Sequence, residues 1–152
     1  MTKTHPRRHV SSARKTLDLE IGALKELKQA LTDTDLGSAF EEAVKTCANA
    51  KGRVVITGIG KSGHIARKIT ATLVSTGTSA LYIHPSEASH GDLGSIARDD
   101  VVFAISWSGA TAELGDIVSF CSANNQTLIV ATANPDNWIG KAADICLALP
   151  MV

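Results

Sequence analysis

The sequence has few aromatic side chains and no excess of charge. Aromatic residues make up 4% of its 152 positions, and its 15 Lys and Arg residues balance 15 Asp and Glu residues. The shortage of aromatic rings argues against a protein that stacks single-stranded bases. The zero net charge gives no reason to expect bulk binding to nucleic acid. We therefore expect no nucleic-acid partner.

Long apolar runs and paired cysteines are also missing. No run approaches the roughly 20 apolar residues that a membrane-spanning helix needs. The basic segment Met1–Lys15 has no apolar core after it, which argues against a secretory signal. Three cysteines lie far apart and are odd in number, at Cys47, Cys121 and Cys146. This pattern is typical of reduced residues rather than of a disulfide framework or a zinc site, so we expect a cytoplasmic protein without a membrane partner.

The composition that remains is that of one globular domain, with 44% hydrophobic and 20% charged residues. Residues 1–10 are predicted to form a flexible N-terminal tail. Ser11 and Ser12 can cap a first helix. Its apolar residues recur at helical spacing in one stripe, formed by Leu17, Ile21, Leu24 and Leu31. The second predicted helix carries its apolar residues on one side, at Phe40, Ala43, Val44 and Cys47.

From residue 53 onward, the pattern alternates between strands and helices. The first predicted strand is a continuous β-branched run at residues 53–57, as a strand buried on both faces should be. Further strands are predicted at residues 79–83, 101–105, 127–131 and 145–149. Helices are predicted from the glycine-rich turn 58–63 to about residue 75, over 110–124 and around 138–142. This alternation predicts an α/β fold, a three-layer sandwich with a five-stranded parallel sheet and helices on both faces. One face of the last strand would stay exposed unless the first helices or another chain cover it.

The turn after the first predicted strand has the sequence Gly58-Ile59-Gly60-Lys61-Ser62-Gly63. Its glycines let the backbone approach an anion at a helix N-terminus. A dinucleotide site would need an acidic residue after the second strand, and a P-loop would need glycine at Val55. Both nucleotide interpretations therefore lose support. Lys61 is either a functional cation at this edge or a surface lysine in the first turn of a helix.

Two further loops carry polar residues at the same edge of the predicted sheet. His84, Glu87 and His90 follow the second strand, where they either serve a site or are structural residues. Ser106, Ser108, Gly109 and Thr111 follow the third strand, and they predict a phosphate cradle. The alternative is that Ser108 simply caps the next helix. Glu113 is either a base in this pocket or a favourable charge in the first helical turn.

Taken together, these loops resemble the arabinose 5-phosphate isomerase family, whose members carry a sugar isomerase (SIS) domain. The resemblance covers about residues 40–150. It rests on Gly60–Ile65, Ser75–Thr78, His84–Ala88, His90–Gly94 and Ile105–Gly109. It implies a flavodoxin-like SIS fold. It also implies the interconversion of ribulose 5-phosphate and arabinose 5-phosphate through an enediol, in synthesis of the lipopolysaccharide sugar Kdo.

The resemblance implies roles for individual residues. Catalytic roles are expected for Lys61, Glu113 and His90. Substrate contacts are expected at Ser62, Gly77, Thr78, His84, His90, Ser106, Ser108 and Thr111. No cofactor is expected to be required, although His84 matches a position where a divalent metal such as zinc can bind. The expected partners are a small phosphosugar and further copies of the chain, as a dimer or tetramer.

The sequence also departs from the family pattern. The usual Ser-Asn-Ser-Gly-Glu turn is Ser106-Trp107-Ser108-Gly109-Ala110 here, so a carboxylate is absent at Ala110. Family members continue with a further catalytic glutamate, a last SIS helix, a distal histidine and paired CBS domains. We therefore expect residues 11–152 to be an SIS domain without its C-terminal part and without CBS domains. The alternative function is a phosphosugar-binding module that does not catalyse, or an inactive fragment of such an isomerase.

Overall fold

Five short apolar segments pair in parallel to form one sheet. The computed structural model describes residues 6–151. The strands are β1 (Val54–Thr57), β2 (Ala80–Ile83), β3 (Val101–Ile105), β4 (Leu128–Thr132) and β5 (Ile145–Ala148). Their order is β2-β1-β3-β4-β5, and every neighbouring pair is parallel. This arrangement confirms the predicted α/β fold, and each strand overlaps a predicted run.

Within residues 6–151, six helices surround the sheet. They are α1 (Pro6–Asp33), α2 (Leu36–Ala48), α3 (Gly60–Ser75), α4 (Pro85–Ala88), α5 (Gly115–Asn124) and α6 (Trp138–Ala142). Short 3-10 turns form at Asp92–Ser95 and Ala112–Leu114. No helix within residues 6–151 is long and apolar enough to cross a membrane.

Strand periodicity places apolar residues on both faces of the sheet. Val55 and Val102 point to the face covered by α5 and α6, where they meet buried residues such as Ile117. Val54 and Ile56 point to the opposite face, beneath α3. Because successive side chains of a strand alternate between faces, a continuous apolar run is what a doubly covered strand requires. The helices therefore form the outer layers of a three-layer sandwich.

The first helices cover the last strand. Leu36 and Ala43 of α2 are buried in one cluster with Ile145 and Leu147 of β5. The sequence left two alternatives for this face, cover by the first helices or by another chain. The structure shows cover by the first helices. This packing holds α2 on the sheet at the edge farthest from β2.

Three helix details differ from the predictions. Helix α1 begins at Pro6 rather than at Ser11, so residues 6–10 of the predicted tail are helical, and residues 1–5 lie outside the described part. Phe40 and Val44 are about half exposed, because they lie at the margin of the α2 stripe that packs on the sheet. The helix predicted from residue 110 begins only at Ala112, as a 3-10 turn. The loop before it, which ends at the extended residue Thr111, is not helical.

A buried carboxylate joins the amino ends of the central strands. Asp100 accepts hydrogen bonds from the Arg53 backbone N–H at 2.7 Å, the Arg53 guanidinium at 2.8 Å and the Ala97 N–H at 2.9 Å. Gln126 donates a further bond to the Asp100 carbonyl oxygen. Burial alone would raise the pKa of Asp100, but these hydrogen bonds and the guanidinium charge outweigh it and lower the pKa. Hydrogen bonds to Asp100 thus link the amino ends of β1, β3 and β4.

We expect Asp100→Asn to lower the free energy of unfolding by about 2 kcal/mol at neutral pH, because it removes charge-assisted hydrogen bonds. A lowered folded-state pKa stabilises the fold above the unfolded value, and this contribution is lost as the pH falls through the folded pKa. The difference between wild type and variant should therefore shrink below about pH 3.8. Urea denaturation at acid and neutral pH measures this difference in the free energy of unfolding.

The matched control is Asp99→Asn, which removes the same charge from the exposed neighbouring position. It should leave the free energy of unfolding within about 0.5 kcal/mol of the wild-type value. Equal losses in the two variants would contradict the stabilising role of Asp100.

Candidate functional site

The candidate site lies where the chain leaves β1 and β3. These strands are neighbours, but α3 follows β1 on one face of the sheet and α5 follows β3 on the other. In such sheets, ligands bind at the carboxyl ends of the strands, at the point where the connections diverge. The loops after β1, β2 and β3 all emerge at this edge, which we call the carboxyl edge.

The loop after β1 is packed too tightly for side chains at two of its glycines. A Cβ atom on Gly58 would lie 3.1 Å from the Ile105 carbonyl oxygen, and one on Gly63 would lie 2.7 Å from the Gly58 carbonyl oxygen. The Tyr82 hydroxyl donates to that same Gly58 oxygen at 2.9 Å. No side chain caps α3, so its first-turn N–H groups are left for other partners. Lys61 is exposed and Ser62 half-buried in this turn.

The loop after β2 begins with a histidine in a defined orientation. Nδ1 of His84 accepts a hydrogen bond from the Ser86 N–H at 3.2 Å and so caps the short helix α4. A histidine nitrogen that accepts a hydrogen bond carries no proton, so Nε2 carries it in the neutral ring. Nε2 of His84 is therefore a hydrogen-bond donor. His90 is exposed in the turn that follows α4.

The loop after β3 places its hydroxyl groups close together. The Ser106 and Thr111 hydroxyl oxygens lie 2.8 Å apart, and the Ser108 hydroxyl accepts from the Ala110 N–H at 3.2 Å. The next turn begins at Ala112 after Thr111, and no side chain caps it. The alternative that Ser108 serves only as a helix cap is therefore wrong, because its bond stays within the loop.

Backbone donors in this loop are also uncommitted. Among the bonds formed by residues 6–151, none is donated by the N–H of Trp107, Ser108 or Thr111. Successive N–H groups in a turn form a concave site that favours an anion. The Ser106–Thr111 loop thus has both backbone and hydroxyl donors, as the predicted phosphate cradle requires. Trp107 is 54% exposed and does not fill the loop.

A fourth loop, which the sequence analysis missed, holds this cradle in place. Asn137 donates to the Ser108 carbonyl oxygen at 3.1 Å, and Thr132 donates to the Trp107 carbonyl oxygen at 3.3 Å. The Ile139 N–H donates to the Gly109 oxygen at 3.2 Å. The Asn-Pro-Asp-Asn segment at residues 134–137, shortly after the fourth predicted strand, could have indicated this loop, because it emerges at the same edge.

A buried hydroxyl at the end of β1 has no partner. Thr57 is fully buried, and its oxygen is the one buried side-chain polar atom without a hydrogen bond among the described residues. Thr57 is two residues after Val55 and therefore faces the same side of the sheet, toward α5. Buried polar groups are normally paired, so such an exception needs an explanation. Thr57 lies below the carboxyl edge. Like the loop after β4, it was not identified by the sequence analysis.

The three predicted catalytic side chains lie at this edge and are exposed. Within residues 6–151, Lys61, His90 and Glu113 form no side-chain ion pair. Glu113 lies in the 3-10 turn against which α4 packs, since Ala88 and Leu114 share one buried cluster. The loops after β2 and β3 are thereby in contact. A flexible cation, an imidazole and a carboxylate are available here for binding or proton transfer.

Two predicted substrate contacts lie elsewhere. Gly77 and Thr78 follow α3 and precede β2, so they lie at the amino edge of the sheet. The four residues of β2, about 13 Å long at about 3.3 Å per residue, lie between them and His84. The structure therefore does not bring Gly77 and Thr78 to the carboxyl edge of the same chain.

The metal predicted at His84 stays a prediction. No group of three or more His, Cys, Asp or Glu residues within residues 6–151 is placed to hold a metal ion. Nδ1 of His84 is already used as an acceptor from Ser86. The described residues thus do not supply a zinc ligand set, and no step of the chemistry below passes through a metal.

The cysteines do not offer a nucleophile at this site. Cys47, Cys121 and Cys146 are all free. Burial raises the pKa of Cys121 to about 12, and the nearby Asp144 carboxylate contributes to that rise. Burial likewise raises the pKa of Cys47 and of Cys146. Because the thiolate is the reactive form, a raised pKa lowers the reactivity of these thiols at neutral pH.

Comparisons with known proteins show the family of this chain. Residues 47–152 match the family model of the SIS domain. The chain is 44% identical over 138 residues to arabinose 5-phosphate isomerase KdsD of Pseudomonas aeruginosa, covering 91% of this chain and 41% of that protein. It is 41% identical to arabinose 5-phosphate isomerase GutQ of Escherichia coli, with the same coverage. The chain thus spans about two fifths of the length of the curated relatives it matches.

Solved structures share the fold. The structure of E. coli CFT073 c3406 in complex with arabinose 5-phosphate superposes with a TM-score of 0.89 and 34% identity, covering 98% of this chain and 77% of that one. The Vibrio vulnificus NanR protein, complexed with ManNAc-6P, superposes with a TM-score of 0.76. Its identity is 16%, and the match covers 95% of this chain and 55% of that one, so it supports the fold alone.

We expect Gly109→Ala to disrupt the cradle. Gly109 has a φ of 64°, and an added Cβ would lie 2.6 Å from the Asn134 carbonyl oxygen. A left-handed conformation costs an L-residue roughly 1–2 kcal/mol before any clash, so the variant should lose at least that much stability. Thermal unfolding measures the loss.

Gly115→Ala is the matched control, because Gly115 has helical angles and open space around its Cβ position. It should raise the free energy of unfolding by about 0.5–1 kcal/mol. A Gly109→Ala variant as stable as Gly115→Ala would show that the loop does not need the left-handed residue.

Proposed function

Because this chain belongs to the SIS domain family, we propose that its carboxyl edge binds a phosphosugar and interconverts ribulose 5-phosphate and arabinose 5-phosphate. The observation that carries the proposal is the Ser106–Thr111 loop, which groups three hydroxyls with backbone N–H groups that make no hydrogen bond within residues 6–151. The segment after β4 holds this loop in place. The names of the similar proteins, arabinose 5-phosphate isomerases, support the choice of sugar.

The phosphate is proposed to bind in the cradle. The Ser108 oxygen accepts from Ala110, which leaves its O–H free to donate to a phosphate oxygen. The uncommitted N–H groups of Ser108 and Thr111 point to the same function. Because the loop is already fastened, it needs little ordering when ligand binds, which favours affinity.

The proposed chemistry is a proton transfer between C1 and C2. Glu113 removes the C2 proton of the aldose, and the electron pair forms the C1–C2 double bond of an enediol as the C1 carbonyl oxygen takes up a proton. Reprotonation at C1 and loss of the O2 proton give the ketose. A positioned base contributes roughly 10²–10⁴-fold to such a step. Lys61 stabilises the developing enediolate oxygen, and His90 holds a sugar hydroxyl.

We expect no cofactor to be required, because the isomerisation involves no net oxidation or reduction of the sugar and its protons pass through side chains and solvent. The product of the reverse direction, arabinose 5-phosphate, is the sugar that would enter synthesis of Kdo. The imidazole Nε2–H of His84 is a further donor for the sugar at this edge.

We expect Lys61→Ala to abolish measurable solvent exchange of the C2 proton. Proton NMR of arabinose 5-phosphate in D₂O reports this exchange and the formation of ribulose 5-phosphate together. The loss should be at least about 10²-fold, because the charge partner of the enediolate is removed. Lys68→Ala, an exposed lysine on the same helix, should leave the rate unchanged. Equal rates in wild type and Lys61→Ala would rule out the assigned role.

We expect Ser108→Ala to weaken binding of arabinose 5-phosphate about 10–100-fold, because a hydrogen bond to a charged group contributes roughly 1.5–3 kcal/mol. Isothermal titration calorimetry measures the dissociation constant. Ser122→Ala is the control, since Ser122 is exposed toward the far end of α5. An unchanged constant in Ser108→Ala would reject the cradle.

The two measurements separate catalysis from binding. Saturable binding that depends on Ser108, without proton exchange in the wild type, would identify a phosphosugar-binding module instead of an isomerase. Ala110 is the observation that favours this second candidate, because it places no carboxylate at the rim of the cradle.

A further inference from the structure

The side chain of Tyr82, in β2, contacts two of the loops at the carboxyl edge. Its hydroxyl donates to the Gly58 carbonyl oxygen at 2.9 Å, in the loop after β1. A Cβ atom on Gly63 would lie 3.1 Å from the same hydroxyl, so this oxygen fits closely against the glycine-rich turn. The ring also meets the His84 imidazole edge-on, with 6.5 Å between the ring centroids. Tyr82 therefore connects the loop after β1 with the loop after β2.

The guanidinium of Arg67 lies over the face of the Tyr82 ring. Its Cζ atom is 4.0 Å from the ring centroid, a distance at which the negative face of the ring attracts a cation. Within residues 6–151, Arg67 forms no ion pair that competes with this contact. Arg67 follows Gly63 by one turn on the same side of α3. The ring is thereby held by the helix that begins at the glycine-rich turn.

The hydroxyl of Tyr82 makes a bond that a phenyl ring could not make. The ring itself packs with apolar residues such as Ile56 and Ala66, which a phenylalanine could do equally. Gly58 is buried, and no backbone N–H within residues 6–151 donates to its carbonyl oxygen. Buried carbonyl groups are normally paired, and the partner of this one is the Tyr82 hydroxyl.

This bond fixes the direction of the peptide group between Gly58 and Ile59. In a trans peptide the C=O and N–H bonds point in opposite directions, and the described residues contain no cis peptide. Because the Gly58 oxygen faces Tyr82 of β2, the Ile59 N–H points away from β2. The loop after β3 lies in that direction, since the strand order begins β2-β1-β3. Within residues 6–151 the Ile59 N–H donates no hydrogen bond.

The opposite orientation of this peptide would be unfavourable for an anionic ligand. A glycine at position 58 allows the peptide to rotate at little steric cost when nothing holds its carbonyl oxygen. Rotation would replace the Ile59 N–H with a carbonyl oxygen, which repels the oxygen atoms of a sugar phosphate. Lys61 follows two residues later, so the direction of its side chain depends on the same turn.

We propose that Tyr82 is a positioning residue of the carboxyl edge, whose hydroxyl holds the Gly58–Ile59 peptide so that the Ile59 N–H and Lys61 meet the sugar. Arg67 assists by holding the ring. This inference rests on the proposed isomerase function, in which Lys61 stabilises the enediolate. Donors that are fixed before the reaction stabilise charge that develops in the transition state without being reorganised. Loss of the hydroxyl should therefore lower turnover more than it weakens binding.

The first test is Tyr82→Phe, which keeps the ring and removes the hydroxyl. In the proton NMR assay with arabinose 5-phosphate, it should lower kcat at least about 10-fold and change KM by less than about 3-fold. Asp100→Asn is the control, because it removes stabilising hydrogen bonds at the amino edge instead. Its kcat should equal that of the wild type. Equal losses of kcat in the two variants, or an unchanged kcat in Tyr82→Phe, would overturn the proposal.

The role of Arg67 is tested by its coupling to the hydroxyl. Arg67→Met should lower kcat about 3-fold in the wild-type background and leave it unchanged in the Tyr82→Phe background, because a residue that acts through the hydroxyl has no effect once the hydroxyl is gone. Lys68→Met removes the next cation along α3 and should leave kcat unchanged in both backgrounds. Additive effects of Arg67→Met and Tyr82→Phe would contradict this role.

Amide hydrogen exchange tests the positioning without turnover. The Gly63 N–H donates to the Ile59 carbonyl oxygen at 3.3 Å, so its exchange reports opening of the turn. Tyr82→Phe should speed this exchange at least about 10-fold, whereas the Ser106 N–H, bonded to Ala131, should exchange as in the wild type. Unchanged exchange at Gly63, or an equal increase at Ser106, would overturn the proposal.

Failure of the proposed function and failure of this inference give different results. A wild type that exchanges no sugar proton would reject the isomerase function and, with it, the role of Tyr82 in turnover. An active wild type with the same kcat as Tyr82→Phe would reject the role of Tyr82 alone.

Discussion

The parallel pairing of β1 with β3 is the constraint on which the rest of the structure depends. The chain leaves the two strands toward opposite faces, so their loops diverge and open a crevice at the carboxyl edge. The tight packing of Gly58 against the Ile105 carbonyl is a direct consequence of this pairing. Every residue proposed to hold phosphate or move a proton follows one of these strands or a neighbouring one.

The sequence predicts most of the fold because strand and helix periodicity are local. The runs at Val54–Thr57 and Val101–Ile105 needed no knowledge of their partners. The grouping of hydroxyls in the loop after β3 was also predictable, since Ser106, Ser108 and Thr111 lie within six residues. The hydrogen bonds that hold this loop in place were not predictable, because Asn137 and Ser108 are 29 positions apart in the sequence. The predicted beginning of α1 at Ser11 is wrong, because α1 begins at Pro6. Capping by Ser11 is a weak local signal compared with the preference of the whole segment for a helix.

Spacing also could not show which edge of the sheet a loop occupies. Gly77 and Thr78 belong to a recognisable motif, but a residue that precedes a parallel strand lies at the opposite edge from one that follows it. Spacing likewise could not show which apolar side chains of α1 are covered. Periodicity identified its apolar residues, whereas only the structure shows that Leu17 and Leu24 stay exposed while Leu27 packs on the domain.

The two edges of the sheet differ in how their polar groups are paired. At the amino edge, Asp100 is buried and accepts bonds from Arg53 and Ala97. At the carboxyl edge, Gly109 is left-handed, Thr57 is unpaired, and Lys61 is exposed. Strained or unsatisfied groups persist only where the surrounding structure compensates for their cost, and they concentrate at functional sites. The bonded network at one edge thus allows the other to keep free the donors that a phosphate ligand would use.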